Sequence, residues 1–486
     1  MHPIRLGHNI SMSSLSMEVQ VPTSPTVAAT TNNHILVVPY PSLGHINPMI
    51  NLCKVLLSNN SDIFITFVVI EEWLRSIASE PKPHNLRFCS IPNVVPELNR
   101  SADNFLSVVE AVMTKMEAPV EEILDRLEPP PNIIIYDGFL FWVVGVSIRK
   151  NIPVAAFWTT STSEFWVQCF HIFQEYKHCP QKLLGEENGE KLVDYVPEIS
   201  WIRLADNHLL DKNSEEILHW AMKGCEGMLK AQYLLFPSIY ELEHHVIDAL
   251  RARLSMPIYT IGPNIPYFSF EHNASSINAA NGSDHSYLDW LDNQPCDSVL
   301  YISFGSFLSV SSAQMDEIVA ALRGSGVRFL WATRGENSEL KKICGEMGMV
   351  LSWCDQLKVL LHPSVGGYWT HCGWNSTMEG IFAGVPFLTF PLVMDQPLNS
   401  KLIVEDWKVG WRVKKEDKLD TLVMRNEIVV LLRKFMNLGS DEGREMRQRA
   451  KELQHVSQLA IAKGGSSETN VKAFLKNIFQ SVVSQV

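Results

Sequence analysis

Residues 365–380 read VGGYWTHCGWNSTMEG. The first six form a short apolar, aromatic-bearing run, the composition of a strand covered on both faces. The last residues open a helical segment that runs on toward IFAGVPF. Between the two lie His371, Cys372, Gly373, Trp374, Asn375, Ser376, Thr377 and Glu379, more polar function than a turn requires. A strand that passes through a tight turn straight into a helix is half of a βαβ unit and predicts a parallel sheet. Gly373 permits a close backbone approach, and the helix is expected to begin near Asn375, a good N-cap. Its first turn offers free N–H groups and partial positive charge, a ready anion site. Glu379, four residues after Asn375, shares its face.

The same alternation extends in both directions. Downstream of residue 286 come SVLYISFG, VRFLWATR, GMVLSW and PFLTFPL, and after 420 the pattern is helical to the end, with GGSS at 464–467 as a break. Upstream, HILVVPY, DIFITFVVI, NIIIYD, IPVAAFW and YLLFPS alternate with longer segments of helical period. Short β-branched runs separated by such segments argue for an α/β fold of two doubly wound, Rossmann-like domains. Residues 263–286, rich in Pro, Asn, Ser and Gly without periodicity, read as the linker between them. The expected organisation is a disordered extension over 1–33, a first domain over 34–262, a second over 287–465, and a terminal helix over 466–486 packing back on the first domain. Ligands of such sheets bind at the carboxyl ends of the strands, so a cleft between two facing domains is the expected active site.

The totals agree with that organisation. A chain of 486 residues is too long for one ordinary core. With 46% hydrophobic and 19% charged residues its composition is globular. A net charge of −12 and the lack of a clustered basic face argue against a nucleic-acid partner. The nine cysteines form no CxxC pair, so reduced thiols in a cytoplasmic protein are the simplest expectation. The first 33 residues lack the apolar core of a signal peptide, and Met17 is an alternative start. The most apolar stretch, 133–148, contains Asp137 and reads as strand then helix rather than as a membrane span.

Charge narrows the anion. From Trp353 to Gln396 there is no Arg and a single Lys, Lys358. A phosphate held here would depend on the helix end, backbone N–H groups and His371, with Gly305-Ser306 after SVLYISFG as a second set of donors. The chain lacks the GxxxxGK loop of P-loop nucleotidases. It also lacks any Asp-x-Asp pair that would hold Mg²⁺ on a diphosphate. His371 and Cys372, being adjacent, make a poor pair for tetrahedral zinc.

The segment Trp353–Gln396 resembles the 44-residue signature of plant family-1 UDP-dependent glycosyltransferases. It matches in the opening W-x-x-Q, in HCGWNS, in the Glu, in G-x-P and in the closing Asp-Gln. The likeness runs from about residue 34 to the end, through GHINPM, FGS and GGSS. It implies the GT-B fold, a UDP-sugar donor and a small-molecule acceptor; no metal cofactor is expected, and the chain is expected to be a monomer. It further implies that Trp353 stacks on uracil while the Cys354 backbone pairs with the base edge. Gln356 and Glu379 would hold the ribose, and His371, Asn375, Ser376 and Ser306 the diphosphate. Trp374, Asp395 and Gln396 would face the sugar. A closing Gln goes with glucose and a closing His with galactose in that family, so Gln396 points to UDP-glucose.

In the first domain, His45 lies in PYPSLGHINPM after the first strand, and Asp137 ends IIIYD, where an apolar setting demands a partner for its carboxylate. Paired, the Asp would fix the imidazole tautomer and balance its charge. The resemblance implies that His45 is the general base, that attack opposite UDP inverts the anomeric carbon, and that Thr159 touches the sugar 6-hydroxyl. Loops near 40–46, 101–112, 139–144, 159–175 and 390–394, rich in aromatics, are expected to form an acceptor pocket for a phenolic, flavonoid, terpenoid or hormone. Transfer to a carboxylate, giving a glucose ester, and silent UDP-sugar binding are the alternatives.

Overall fold

The computed structural model describes residues 33–77, 82–94, 105–173, 192–193, 202–203, 215–267, 286–305, 310–333, 340, 347–414 and 422–483. The first series runs β1 (His34–Val38), α1 (Leu43–Asn59), β2 (Phe64–Ile70), β3 (Leu86–Ile91), β4 (Ile133–Asp137), α2 (Trp142–Lys150), β5 (Val154–Phe157) and α3 (Thr162–Phe165). It continues through β6 (Leu192–Val193), β7 (Ile202–Arg203), β8 (Tyr233–Phe236), α4 (Tyr240–Arg253) and β9 (Ile258–Thr260). Seven of these strands form one parallel sheet in the order β3-β2-β1-β4-β5-β8-β9, while β6 and β7 form a separate antiparallel pair.

The second series runs β10 (Val299–Ser303), β11 (Arg328–Ala332), β12 (Gly348–Leu351), β13 (Val365–Thr370), α5 (Trp374–Ala383), β14 (Phe387–Thr389), α6 (Gln396–Lys401), β15 (Gly410–Arg412) and, at the end, α7 (Ser466–Val483). Its six strands are also parallel, in the order β12-β11-β10-β13-β14-β15.

The period of two explains why the central strands are apolar throughout. Leu36, Val38, Ile134 and Tyr136 join one core on one face of the first sheet, packed with Val143 and Val146 of α2. Ile35, Val37, Ile133 and Ile135 join another on the opposite face, packed with Met49, Leu52 and Leu56 of α1. In the second sheet Leu300, Ile302 and Trp369 face one way, and Val299, Tyr301 and Tyr368 the other.

The chain crosses back at its end. Val471, Phe474, Leu475 and Ile478 of α7 belong to the α1 side of the first sheet. The Asn470 amide donates to the Thr260 carbonyl at 3.0 Å, and the Asn477 amide to the Tyr259 hydroxyl. Of the expected linker, residues 268–285 lie outside the described residues, as do residues 1–32 of the expected extension.

Among the described residues no helix is long and apolar enough to cross a membrane. The apolar stretch 133–148 is split into β4 and α2 by the turn that follows Asp137. One expectation is corrected: the thiols are not all reduced, because Cys169 and Cys225 form a disulfide between the segment after α3 and the helix Glu215–Met228. Their separation of 56 residues is why no short cysteine motif revealed the pair.

The topology also fixes where ligands go. In each sheet the winding direction reverses once, between β1 and β4 in the first and between β10 and β13 in the second. A crevice opens beyond the strand ends at such a reversal. His45 and Asp137 follow β1 and end β4, and His371 follows β13, so the singled-out residues flank both reversals.

Candidate active site

His45 sits in the first turn of α1 rather than in a loop, its N–H donating to the Ser42 carbonyl at 2.9 Å. Its Nδ1 is 2.7 Å from Asp137 Oδ2, and the Asp137 side chain is 0% exposed while His45 is 25% exposed. The second Asp137 oxygen accepts the Phe139 N–H at 3.1 Å. Both carboxylate oxygens are therefore occupied, which makes full burial tolerable. With Nδ1–H donating to Asp137, Nε2 carries the lone pair. Thr159 Oγ1 lies 3.1 Å from the same Nδ1, so Thr159 stands beside the base. Tyr40 and Phe139 enclose the imidazole, with ring centroids 5.1 and 5.8 Å away, and Phe139 stacks on Trp158. Of the loops expected to line the pocket, residues 101–104 and 174–175 lie outside the described residues.

Across the cleft, α5 is capped two residues earlier than the sequence suggested. Gly373 is its N-cap and Asn375 lies inside the first turn, so Asn375 does not cap it. Its amide is used elsewhere: Nδ2 donates to the Gly44 carbonyl at 2.7 Å. That carbonyl is free because its helical partner four residues on is Pro48, which has no N–H. The Gly-x-x-x-Pro spacing of GHINP thus exposes an acceptor that the opposite domain takes.

His371 is packed between two glycines. A Cβ on Gly305 or on Gly373 would approach its Nε2 to 2.6 Å, and Gly305 has φ +80°. Burial pushes the imidazole down to about 4, so His371 offers a neutral N–H rather than a cation. Ser376 Oγ accepts from Gln356 Nε2 at 3.1 Å. The same amide donates to Glu379, while Gln356 Oε1 accepts the hydroxyls of Tyr301 and Tyr368, each at 3.1 Å. Burial raises the Glu379 carboxyl to about 7. Trp353 is 68% exposed, an open ring face, while the Cys354 thiol turns inward to 3.4 Å from the Tyr301 hydroxyl. Ser306 lies outside the described residues.

The remaining singled-out residues cluster beyond the α5 terminus. The Trp374 ring does not face the cleft. It is buried in an apolar cluster with Leu357 and Met378, 6.3 Å from the Trp407 ring. Asp395 Oδ2 accepts from Asn399 Nδ2 at 2.7 Å, and Asn399 also donates to the Cys372 carbonyl at 2.9 Å. Burial raises Asp395 to about 6, against the Asn399 bond and the nearby His45 of the other domain. Gln396 Oε1 accepts the N–H groups of Leu392 and Val393 at 2.8 and 3.1 Å, which leaves its Nε2 outside those bonds. Asn399 was missed in the sequence, although its i+4 spacing from Asp395 on one helix was a usable signal.

The profile of the family described as UDP-glucoronosyl and UDP-glucosyl transferase matches residues 201–423. UDP-glycosyltransferase 87A1 of Arabidopsis thaliana is 44% identical over 448 residues, covering 91% of this chain and 100% of that protein. The structure of Phytolacca americana UGT2 with UDP-2fluoro-glucose and pterostilbene superposes with TM-score 0.77 at 24% identity, over 92% of this chain and 99% of that one. Medicago truncatula UGT71G1 with UDP-glucose gives TM-score 0.76 at 24% identity, over 92% and 98%.

Proposed function

The chain belongs to the UDP-glucosyl and UDP-glucuronosyl transferase family, and from that premise we propose that it moves glucose from UDP-glucose to a hydroxyl of a lipophilic small molecule, with inversion. Membership makes it a GT-B glycosyltransferase that transfers a sugar from a UDP donor. The finer reading rests above all on the 2.7 Å bond between His45 Nδ1 and the buried Asp137. That bond leaves Nε2 as the base. It takes the proton of the acceptor hydroxyl as the oxygen attacks the anomeric carbon from the face opposite UDP. Asp137 balances the imidazolium that results. The α5 terminus stabilises the departing diphosphate through Ser376, the neutral His371 and backbone N–H groups, without a metal ion. Trp353 stacks on uracil, and Gln356 with Glu379 holds the ribose. Asp395 and the free Gln396 amide hold the sugar hydroxyls, and Thr159 the 6-hydroxyl.

The aromatic wall of Tyr40 and Phe139 around His45 favours a phenolic or similarly flat acceptor. The neighbour from Phytolacca americana was solved with pterostilbene and that from Medicago truncatula with UDP-glucose, which supports both halves of the reading.

The test is a mass-spectrometric acceptor screen with UDP-glucose, run with wild type and His45→Ala. A glucoside product, with the variant slowed about 10² to 10⁴-fold and UDP-glucose binding retained, is expected. Turnover by His45→Ala at the wild-type rate refutes the base assignment. UDP-glucose binding without transfer to any acceptor refutes the enzyme.

A further inference from the structure

We propose that Glu164 determines acceptor specificity: its carboxyl, fixed in α3 opposite Asp395, hydrogen-bonds a second oxygen of the acceptor. The protein then selects molecules that carry a hydroxyl or carbonyl oxygen next to the hydroxyl that receives the sugar. This rests on the glycosyl-transfer reading above and deepens it.

Glu164 is 2% exposed, yet nothing in the proposed chemistry uses it. It lies five residues after Thr159, whose hydroxyl is 3.1 Å from His45, and it is near enough to Asp395 to feel its charge, as Asp395 feels that of His45, which places it in the wall beside the base. That wall is rigid. Ser161 Oγ accepts the Glu164 N–H at 3.1 Å. The Glu243 carboxylate accepts the N–H groups of Thr162 and Ser163 at 3.0 and 2.8 Å, the Ser163 hydroxyl at 2.6 Å, and the Ser238 hydroxyl. One Glu164 oxygen accepts from Gln168 Nε2. Thr160 Oγ1, Thr162 Oγ1 and Gln168 Oε1 are buried with no partner among the described residues. Buried polar groups are ordinarily paired, so such a surplus marks a place for a polar ligand.

The electrostatics fit a donor role. Burial raises Glu164 to about 8, helped by the negative Asp395 and opposed by the Gln168 amide. At neutral pH it is an acid with one O–H to give. The titratable and charged groups on the elements packed about it are Asp395 from the second domain, His45 beside Asp395, Glu243 of α4 behind Thr162 and Ser163, and, on the far side of Trp166, Arg253 at 4.8 Å from that ring. A merely structural Glu164–Gln168 pair, four residues apart on one helix, would not require the second oxygen to carry a proton.

The test uses the full chain, UDP-glucose, and catechol and phenol as paired acceptors. Wild type is expected to favour catechol in kcat/KM. Glu164→Ala is expected to lower the catechol-to-phenol ratio about fivefold, the worth of one hydrogen bond. The loss should fall on acceptor KM, with UDP-glucose KM moving less than twofold. Glu164→Gln keeps an N–H donor and should keep the preference. Between pH 7 and 8.5 the wild-type ratio should change as the acid ionises, because the acid donates to the second catechol oxygen where the carboxylate accepts from its hydroxyl, whereas that of Glu164→Gln should stay level. This second comparison holds even if the alanine variant does not fold. An unchanged ratio in Glu164→Ala, a loss of UDP-glucose affinity in its place, or parallel pH profiles would overturn the proposal. Absence of transfer by wild type overturns the glycosyl-transfer reading itself.

Discussion

Asp137→Asn separates orientation from burial. The two sites that hold the Asp137 carboxylate have opposite requirements for an amide. The Phe139 N–H needs an acceptor at 3.1 Å, so the Asn oxygen must take that position. The Asn NH₂ then faces His45 Nδ1 at the place where a carboxylate oxygen now stands, 2.7 Å away. Two donors cannot share that contact, so the imidazole must shift its proton to Nε2 and offer Nδ1 as acceptor. The nitrogen directed at the acceptor hydroxyl then has no lone pair. The variant keeps its size and its Phe139 bond, so the melting temperature should stay within a few degrees of wild type. Turnover should fall about 10³-fold, the middle of the range for a general base. That corresponds to about 4 kcal/mol of barrier at about 1.4 kcal/mol per tenfold. The assay is UDP release at saturating UDP-glucose, with donor affinity measured separately by calorimetry. An Asp137→Asn protein that folds and retains more than a tenth of wild-type kcat would refute the tautomer argument.

Three further perturbations follow from the geometry. Gln396→His should raise UDP-galactose use relative to UDP-glucose if the proposed sugar contact holds, because it replaces an amide whose oxygen is tied to the Leu392 and Val393 N–H groups; a competition assay with an unchanged ratio removes Gln396 from the proposed sugar contacts. Gly373→Ala places a Cβ 2.6 Å from His371 Nε2 and should weaken UDP binding about tenfold or more by displacing the imidazole, and equal UDP affinity by calorimetry would contradict this packing. Burial holds His34, hydrogen-bonded to Thr66 and the Pro129 carbonyl, down to about 4, so the folded chain leaves it neutral where the unfolded chain protonates it near 6.5. Its contribution, at most about 3 kcal/mol, is present above pH 6.5 and lost as pH falls to 4, so the melting-temperature gap between wild type and His34→Gln should narrow over that window; a constant gap would disprove the linkage.

The alternation of apolar runs and helical periods was enough to read two doubly wound sheets, because burial on both faces writes itself into every central strand. His45 and Asp137 were legible for a related reason: each stands at the carboxyl end of a strand, and sheet order brings those ends together. What the sequence hid depends on distant partners. Asn375 reads as a cap from its own neighbourhood, but its amide is drawn to Gly44 by a carbonyl that Pro48 leaves open. The Trp374 indole reads as a cleft residue until α5 is seen to turn it into an apolar cluster. Glu243 supports the loop beside the base from far along the chain, and no local pattern announces it. Cys169 and Cys225 are likewise joined only by the fold.

The return of α7 to the first sheet has a practical consequence for anyone building chimaeras. The two lobes are not successive halves of the polypeptide, since residues 471–478 complete the side of the first sheet that α1 covers. A hybrid that takes its second lobe from a relative by a single crossover in the connecting segment would import a foreign last helix against Tyr259 and Thr260. Two junctions, the second just ahead of Ser466, would keep the first lobe whole and exchange only the second.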